Sequence, residues 1–392
     1  MMTRKLSLLS FKQKMCGQAS VLVSLFLLIL LLFLPTGFED AVIYQGTDRC
    51  AAEVIAVNND RIIDTGLVRS GEQTCTVLFK DGHFKGQEAE AFNLLNGSLE
   101  NDKIFQVGEL AQVVISYSGD DILSVNMIDH YRITKEIVLG ILFILVLVAV
   151  AGKTGIRAIL SFAVTVLMIW KVLVPLYLKG CQPVMIGFLI TCILTVVIIS
   201  LVYGFERRTA AAVCGSMAGL LVTAVTGAVF TDIFKIHGAI MPYSESLLYS
   251  GYSHLNLTQI FMASIFIGSS GAVMDLSVDI TSAVYEVICK KPEIDWKEAA
   301  ISGMNVGRAA MGTMTTTLLL AYSGGYITLL MVFMAQGTPI YNILNYKYVS
   351  SEILDTVIGS MGLVTVAPLT ALCAGWLLTR KKPEITQNIP NS

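Results

Sequence analysis

The chain has 392 residues, of which 54% are hydrophobic and 14% are charged, with a formal net charge of −2 and a mean hydropathy of +0.69. A soluble domain carries roughly 25% charged residues, whereas many apolar runs here approach the ~20 residues that cross a bilayer. Composition therefore excludes an ordinary soluble protein and argues against nucleic acid as a partner. It predicts a multi-spanning membrane protein whose first partner is the lipid bilayer.

Residues 1–37 combine a basic start with one apolar run, which ends at Pro35. No small-x-small cleavage signal follows this run, so we interpret it as an uncleaved signal-anchor helix. The positive-inside rule then places the N-terminus in the cytoplasm and residues 38–134 outside the membrane.

Residues 38–134 have the pattern of a small β-rich external domain. Short β-type runs are separated by turn chemistry, for example at Asn58-Asn59-Asp60 and Asn96-Gly97. The predicted strands are 50–57, 74–80, 86–94, 109–117 and 122–130. About five short strands indicate a small barrel or a sandwich, with an OB-like barrel as one candidate. Cys50 and Cys75 lie here, and both a disulfide and two unpaired buried thiols are open.

Residues 135–382 are predicted to form a polytopic helical membrane domain, and residues 383–392 a tail. The apolar runs within it are 135–151, 158–178, 184–203, 210–230, 263–289, 303–322, 325–341 and 357–378. Basic loops on the inner side, together with the first helix, give about eight or nine crossings. The run 325–341 is interrupted by Gly and Pro, and this leaves the number of crossings and the side of the C-terminus open.

The run 210–230 has a small residue at every fourth position. These residues are Ala211, Gly215, Gly219, Thr223 and Gly227. Such a face allows another helix to approach closely, so we expect this span to pack in the interior of the bundle.

The connector 290–302 is predicted to be an amphipathic helix on the inner membrane surface. Pro292 suits the first position of that helix, and Trp296 suits an interfacial anchor. The connector is a candidate docking element for a separate cytosolic ATPase.

The run 263–289 begins as an apolar helix and ends with a polar stripe. Asp275, Asp279, Ser282 and Glu286 follow the spacing i, i+4, i+7, i+11, so they share one helical face. Carboxylates in a membrane span are costly unless they face a wet cavity, a partner charge or the interface. We expect Glu286 to be solvated beside Lys290, which leaves Asp275 and Asp279 as the principal candidates.

A second polar stripe lies on the next span. Asn305, Arg308, Gly312 and Thr315 share a helical face. The short connector makes the two spans antiparallel neighbours, so we predict that Arg308 pairs with Asp275 or Asp279. Alternatively, the Arg308 side chain extends to the cytoplasmic surface. The candidates for binding a substrate or an ion are therefore Asp275, Asp279, Asn305, Arg308 and Thr315, with Ser282 and Glu286 as secondary candidates.

Catalytic and cofactor motifs are absent from the sequence. It contains no GxSxG, HExxH or dinucleotide fingerprint and no Cys/His set at zinc spacing. We therefore expect no enzymatic activity, no resident metal and no cofactor.

Three segments resemble the YibE/F-like family of bacterial multi-pass membrane proteins. They are 267–287 (IGSSGAVMDLSVDITSAVYEV), 302–324 (SGMNVGRAAMGTMTTTLLLAYSG) and 359–371 (GSMGLVTVAPLTA). The order of anchor, β-rich external domain and polytopic region is also similar, so the resemblance covers essentially the whole chain. It implies a multi-pass protein of the bacterial plasma membrane and no settled activity.

Two functions fit these observations. The first is a transporter or permease that uses an intramembrane Asp/Arg/Asn polar face, with a cytosolic ATPase or a second membrane subunit as candidate partner. The second is an envelope binding or assembly protein whose external β domain recognises a partner. The sequence does not identify a substrate or a coupling ion.

Overall fold

The protein is described by a computed structural model that covers residues 2–38 and 46–380, with side chains from residue 18 onward. It divides into two compact units. One unit comprises residues 37–150, and the other joins residues up to 36 with those from 151 onward. The predicted tail 383–392 and the basic side chains at the start of the chain lie outside the described residues.

The first unit contains a closed five-stranded barrel. Its strands are β1 Thr47–Asp64, β2 Arg69–Phe79, β3 Glu88–Asn96, β4 Leu110–Ser118 and β5 Asp121–His130. Their order around the barrel is β1-β2-β3-β5-β4, and β3 and β5 are the parallel pair. The structure confirms the five predicted strands. Of the two predicted arrangements, it shows the barrel and not the sandwich.

The interior of the barrel is apolar because alternate side chains of each strand point inward. Val77, Val113, Ile115 and Val125 are completely buried there. Side chains from all five strands fill this core, which makes the barrel a packed module in its own right.

The segment Asn58-Asn59-Asp60, predicted to be a turn, lies inside β1. The pairing of β1 with β2 shifts register between Asn58 and Arg61, and the Asn58 side chain accepts a hydrogen bond from the Asp60 N–H at 2.8 Å. A β-bulge uses the same residue types as a turn, since both need a local side-chain acceptor. The chain reverses instead at residues 65–68, where the Thr65 N–H donates to the Val68 carbonyl.

The remainder of the described chain is helical. In chain order the α-helices are α1 Met2–Phe33, α2 Ile133–Met168, α3 Val174–Leu178, α4 Pro183–Tyr203, α5 Arg207–Ile233, α6 Ser244–Tyr249, α7 Leu257–Lys290, α8 Trp296–Ser323, α9 Ile327–Ala335, α10 Ile340–Leu344 and α11 Lys347–Thr379.

Six helical runs within residues 2–38 and 46–380 are long and apolar enough to cross a membrane. They are 133–178, 183–203, 207–233, 257–290, 296–335 and 347–379, while α1 contributes a shorter apolar run at 18–33. Two of these runs each join two spans that were predicted to be separate. Residues 153–157, predicted to lie in a basic loop, are helical, and the interruption is confined to Gly152 with φ 54°. The predicted spans 303–322 and 325–341 belong largely to one run, because a single 3-10 turn at Gly324–Tyr326 joins α8 to α9.

The predicted connector helix is also different in the structure. Helix α8 begins at Trp296 and continues without a break, so no separate amphipathic helix is present within 290–302. Asp295 is the N-cap, and its carboxylate accepts a hydrogen bond from the Lys297 N–H at 3.4 Å. A carboxylate acceptor at this position determines where a helix begins, which explains why Pro292 lies before the helix rather than in its first turn.

Helix α11 packs closely against α5 in an antiparallel arrangement. A Cβ added to Gly215 would lie 2.7 Å from Cα of Thr370, and one added to Gly362 would collide with the hydroxyl of Thr223. Small residues on each helix thus receive larger residues from the other. This arrangement confirms that the small face of residues 211–227 is buried against another helix.

Helices α7 and α8 are antiparallel neighbours, as predicted, and both contact α11. Added Cβ atoms at Gly303 and Gly307 would lie 2.5 Å from Val284 and 2.9 Å from Ile280 of α7, respectively. The same glycines approach α11, and the hydroxyls of Ser277 and Thr370 lie 3.0 Å apart between α7 and α11. Helix α11 therefore has close contacts on three sides.

We predict that Cys50 and Cys75 are both free and protected in the folded barrel. Burial raises the pKa of the Cys50 thiol to about 12 and that of the Cys75 thiol to about 11. Alkylation requires the thiolate, so a maleimide at pH 8 should leave both thiols unmodified in native membranes and modify both after unfolding. Peptide mass spectrometry measures this, with the exposed variant Leu67→Cys as the reactive control. Recovery of a disulfide-linked peptide would contradict the prediction.

We predict that Gly219→Ala destabilises the helical unit. The added Cβ would lie 2.7 Å from Cβ of Val366, and overpacking of a tight core costs about 1–3 kcal/mol. Thermal unfolding in detergent, followed by size-exclusion chromatography, measures the loss. The control is Gly140→Ala, where no atom lies within 4 Å. Equal unfolding temperatures for the two variants would argue against close packing of α5 and α11.

Candidate functional site

The predicted acidic stripe of α7 faces outward. Asp275, Asp279, Ser282 and Glu286 are all exposed, whereas Ile280, on the opposite face of the helix, is completely buried. The carboxylate of Glu286 lies 2.7 Å from Nζ of Lys290, in agreement with a solvated role. The stripe therefore exists as predicted, and its side chains point away from the packed face of α7.

Ser282 has a structural contact at one edge of this stripe. The hydroxyl of Tyr203, at the end of α4, lies 2.6 Å from both the Ser282 hydroxyl and the Val278 carbonyl. The Arg208 guanidinium stacks on the Tyr203 ring at 5.1 Å and pairs with Glu206 at 2.7 Å. These contacts hold the turn between α4 and α5 against α7. The Ser282 side chain therefore contributes to helix packing.

The predicted stripe of α8 also faces outward. Asn305 and Arg308 are exposed, and an Nη atom of Arg308 donates to the Asn305 side-chain oxygen at 3.3 Å. Among the described residues no ion pair joins Arg308 to Asp275 or Asp279, so the predicted pairing is wrong. Gly303 and Gly307 occupy the face of α8 that contacts α7, and Arg308 is therefore turned away from that helix.

Thr315 lies apart from these charges, in a groove between α8 and α11. The groove has a volume of about 500 Å³. Its hydroxyl-bearing residues are Thr315, Thr316, Thr356, Ser360 and Thr365. The Thr315 hydroxyl donates to the Met311 carbonyl at 2.8 Å and that of Thr365 to the Met361 carbonyl at 2.9 Å. Because these two hydroxyls form hydrogen bonds within their own helices, they are not free to donate to a ligand.

A different polar group, not identified from the sequence, lies in the interior. Glu352 and Asp355 are on the second and third turns of α11, one helical turn apart. One carboxylate oxygen of each is buried and has no hydrogen-bond partner in the structure. The hydroxyl of Tyr322, from α8, is buried and unpartnered in the same way. Such groups are rare because each unsatisfied atom costs free energy.

The absence of side chains at two glycines leaves space for the Tyr322 hydroxyl. A Cβ added to Gly268 of α7 would lie 2.9 Å from this hydroxyl, and one added to Gly359 of α11 would lie 3.9 Å from it. Tyr326, in the turn after α8, places its hydroxyl beside the Glu352 carboxylate. Helices α7, α8 and α11 thus meet at one cluster, which we call the Glu352 cluster: Tyr322, Tyr326, Glu352 and Asp355.

The Glu352 cluster lacks a balancing cation. In the part of the chain that the structure describes, no Lys, Arg or His forms an ion pair with Glu352 or Asp355. The same part contains no group of three or more His, Cys, Asp or Glu residues arranged for a metal ion. Buried carboxylates without a counter-charge are held at lower cost when they take up a proton or a cation. This is the chemistry that the cluster offers.

A signal for this cluster was present in the sequence. Residues 342–355 read as a polar link because of their asparagines, lysine and acidic residues. The helix nevertheless begins at Lys347, and Ser351, Leu354 and Ile358 continue its buried face at the spacing i, i+3, i+7. Extending the last span toward the N-terminus by this periodicity places Glu352 and Asp355 inside a helix.

We predict that Asp355→Asn stabilises the folded protein. At alkaline pH, where the carboxylate is ionised, the substitution removes a charge beside a buried, unpartnered oxygen while keeping the side-chain size, and each kcal/mol gained should raise Tm by about 2–4 °C. Thermal unfolding in detergent measures the change. In the control Glu286→Gln, loss of the exposed pair with Lys290 should change stability by at most about 1 kcal/mol. A lower Tm for Asp355→Asn than for Glu286→Gln would mean that Asp355 has a stabilising partner.

The comparisons with known proteins give one positive result. A family model described as YibE/F-like protein matches residues 139–380, which include α4–α11 and the Glu352 cluster but not the barrel. No curated protein and no solved structure matches the chain significantly. Because the family model covers more than half of the chain, the chain belongs to the YibE/F-like family.

Proposed function

We propose that this protein is an ion-coupled transporter of the bacterial plasma membrane, with Glu352 and Asp355 as its coupling carboxylates. The observation that supports the proposal is their pair of buried, unpartnered oxygens beside the unpartnered Tyr322 hydroxyl. In this proposal the six apolar runs and α1 cross the membrane, the N-terminus is cytoplasmic and the barrel is extracytoplasmic. The chain catalyses no chemical reaction of its own.

The surroundings of the Glu352 cluster support a site that changes conformation. Helix α8 ends in a 3-10 turn just after Tyr322, and the short helices α9 and α10 precede α11. Interrupted helices near a binding site are common in secondary transporters, because their free ends and flexible joints permit local movement. Uptake of a proton or cation by the carboxylates would remove their mutual repulsion and thereby favour one arrangement of these segments.

The proposal assigns coupling to the interior rather than to the outward polar face predicted from the sequence. Asp275, Asp279 and Arg308 are exposed on the helical unit, and Arg308 is turned away from α7. A coupling group has to exchange its ion between the two sides of the membrane, and a surface group has no such alternation. Glu352 and Asp355 are half-buried beside Tyr322 and Tyr326, each with a buried oxygen, and therefore suit this role better.

Ion flux in reconstituted vesicles tests the proposal. Vesicles loaded with a pH-sensitive dye are exposed in turn to Na⁺, K⁺, Mg²⁺, Zn²⁺ and amino acids. We expect at least one of these to drive proton movement through the wild type, and Glu352→Gln/Asp355→Asn to abolish it. The control Asp275→Asn/Asp279→Asn should retain the flux. Equal behaviour of wild type and Glu352→Gln/Asp355→Asn, or no response to any of these solutes, would contradict the proposal.

A second candidate function is envelope binding or assembly through the barrel. A groove of about 260 Å³ lies between the loop after β1 and the loop after β3, with Leu67, Leu95 and Leu99 on its walls. Leu67 and Leu99 are 77% and 72% exposed, and the groove is also lined by Lys103, Asp102 and the ion pair of Arg69 with Asp64. Exposed leucines beside charged groups of both signs indicate a surface for an amphipathic partner.

Deletion of residues 40–130 separates the two functions. A transporter should keep its ion flux in vesicles after the deletion, whereas a binding or assembly protein should lose its cellular phenotype although its helices still insert. The loop after β3, which lines this groove, is held by hydrogen bonds within itself. The Asp102 carboxylate accepts hydrogen bonds from the Asn96 and Ser98 N–H groups at 3.0 and 2.7 Å, and these bonds lower the pKa of Asp102.

A further inference from the structure

We infer that the seam between α8 and α11 binds a long-chain amphipathic anion, whose acid group pairs with Arg308 and whose hydrocarbon chain lies in the groove of about 500 Å³ that contains Thr315. The inference rests on the placement of the helices across a membrane in the proposed function, but it does not depend on ion coupling. It assigns a ligand class to a surface that the Glu352 cluster leaves unused.

The seam contains two mainly apolar grooves that follow each other along the same two helices. We call them the Thr315 groove and the Ile301 groove, and the second has a volume of about 300 Å³. Their walls include Leu319, Val357 and Met361 in the first and Met304 and Leu372 in the second. Among the described residues that line the two grooves, Lys297 is a cation and none is Asp or Glu. The charge of the seam is therefore positive.

Arg308 lies between the two grooves. A Cβ added to Gly307 would lie 3.2 Å from Cβ of Ala367, so Arg308 is level with residues 365–368 of α11. The Thr315 groove ends at this level and the Ile301 groove begins there. Ile301, Arg308 and Thr315 follow the spacing i, i+7, i+14 and so share one face of α8. The Arg308 side chain is therefore on the side of α8 where both grooves open.

Arg308 is a cation that lacks a counter-charge within the described part of the chain. It is exposed, forms no ion pair there, and donates a hydrogen bond to the neutral Asn305 side chain at 3.3 Å. Trp296, at the start of α8, suits the membrane surface. At ~1.5 Å per residue Arg308 lies about 18 Å beyond it, near the centre of a hydrocarbon core ~30 Å thick. An unpaired charge at that depth is costly, and such residues mark binding sites for ions and substrates.

A single hydrocarbon chain with one acid group fits this seam better than a phospholipid or a soluble anion. The head group of a phospholipid lies at the membrane surface, whereas Arg308 lies deep in the core. A soluble anion would leave the apolar walls of the Thr315 groove without contact. A fatty acid satisfies both, since its carboxylate can form two parallel hydrogen bonds with a guanidinium and its chain buries apolar surface. It can enter from the lipid because Leu319, Val357 and Met361 are exposed.

Photolabelling of the full chain tests the inference. The purified protein in phosphatidylcholine nanodiscs is irradiated with a palmitic acid analogue that carries a diazirine in its chain, at a pH where the acid is ionised. Mass spectrometry then identifies the labelled peptides. We expect label on the peptides that contain Leu319 and Met361 and much less on α2, although Leu142 of α2 is also exposed. Excess palmitate should prevent this labelling, whereas hexadecanol, which lacks the charge, and acetate, which lacks the chain, should not.

Variants separate the charge from the groove. Arg308→Gln should lower the labelling about tenfold, and Arg308→Lys should retain most of it. Val357→Trp fills the groove and should lower the labelling although Arg308 is intact. Lys235→Gln is the control, because Lys235 is an exposed loop residue outside the seam. Glu352→Gln/Asp355→Asn should be labelled like the wild type, so failure of this inference is distinguishable from failure of ion coupling.

The competition in the wild type requires no variant and therefore remains informative even where a substitution prevents folding. The inference is overturned if α2 is labelled as strongly as the seam, if hexadecanol competes as well as palmitate, or if Arg308→Gln is labelled like the wild type. Phosphatidylglycerol added to the nanodiscs overturns it as well if it competes as well as palmitate, because the site would then bind a lipid with two chains.

Discussion

Close packing around α11 is the constraint on which the helical unit depends. Gly215 and Gly362 let α5 and α11 approach until backbone and side chain touch, and Gly303 and Gly307 do the same for α8. Helices held this closely leave little room for large or solvated groups, so any polar side chain in the interior has to be satisfied by the few atoms nearby. The unpartnered atoms of the Glu352 cluster are an exception, and exceptions of this kind are expected at functional sites.

Much of the fold could be predicted from the sequence because hydrophobic periodicity is a local property. Alternation and turn residues located all five strands, and the small residues of α5 predicted its buried face. The errors have physical reasons. Asn58 and its neighbours favour a bulge as readily as a turn, and the chemistry of Gly324 and Gly325 suggested a loop where the structure has one turn of 3-10 helix. Strand order and closure of the barrel depend on contacts between distant residues, which no local pattern contains.

The site was less predictable than the fold. Helical spacing correctly placed Asp275 and Asp279 on one face, but spacing alone does not say whether that face points inward or outward. Gly303 and Gly307 determine the orientation of α8. They occupy the face that contacts α7, so the Arg308 side chain points away from α7. Glu352 and Asp355 were missed for a different reason. A polar stretch is interpreted as a loop unless the periodicity of its buried residues is also examined. The chain thus has a half-buried polar cluster on α11 in addition to the outward polar stripes of α7 and α8.

The central claim is that Glu352 and Asp355 hold a proton or a cation inside the helical unit. Infrared spectroscopy of the wild type in vesicles, free of metal cations, tests this claim directly. We predict a carbonyl-stretch band of a protonated carboxylic acid that disappears when the solution is made alkaline and is lost in Glu352→Gln/Asp355→Asn. Addition of a coupling cation should weaken the same band. Superimposable spectra of the wild type and this double variant at every pH would contradict the account.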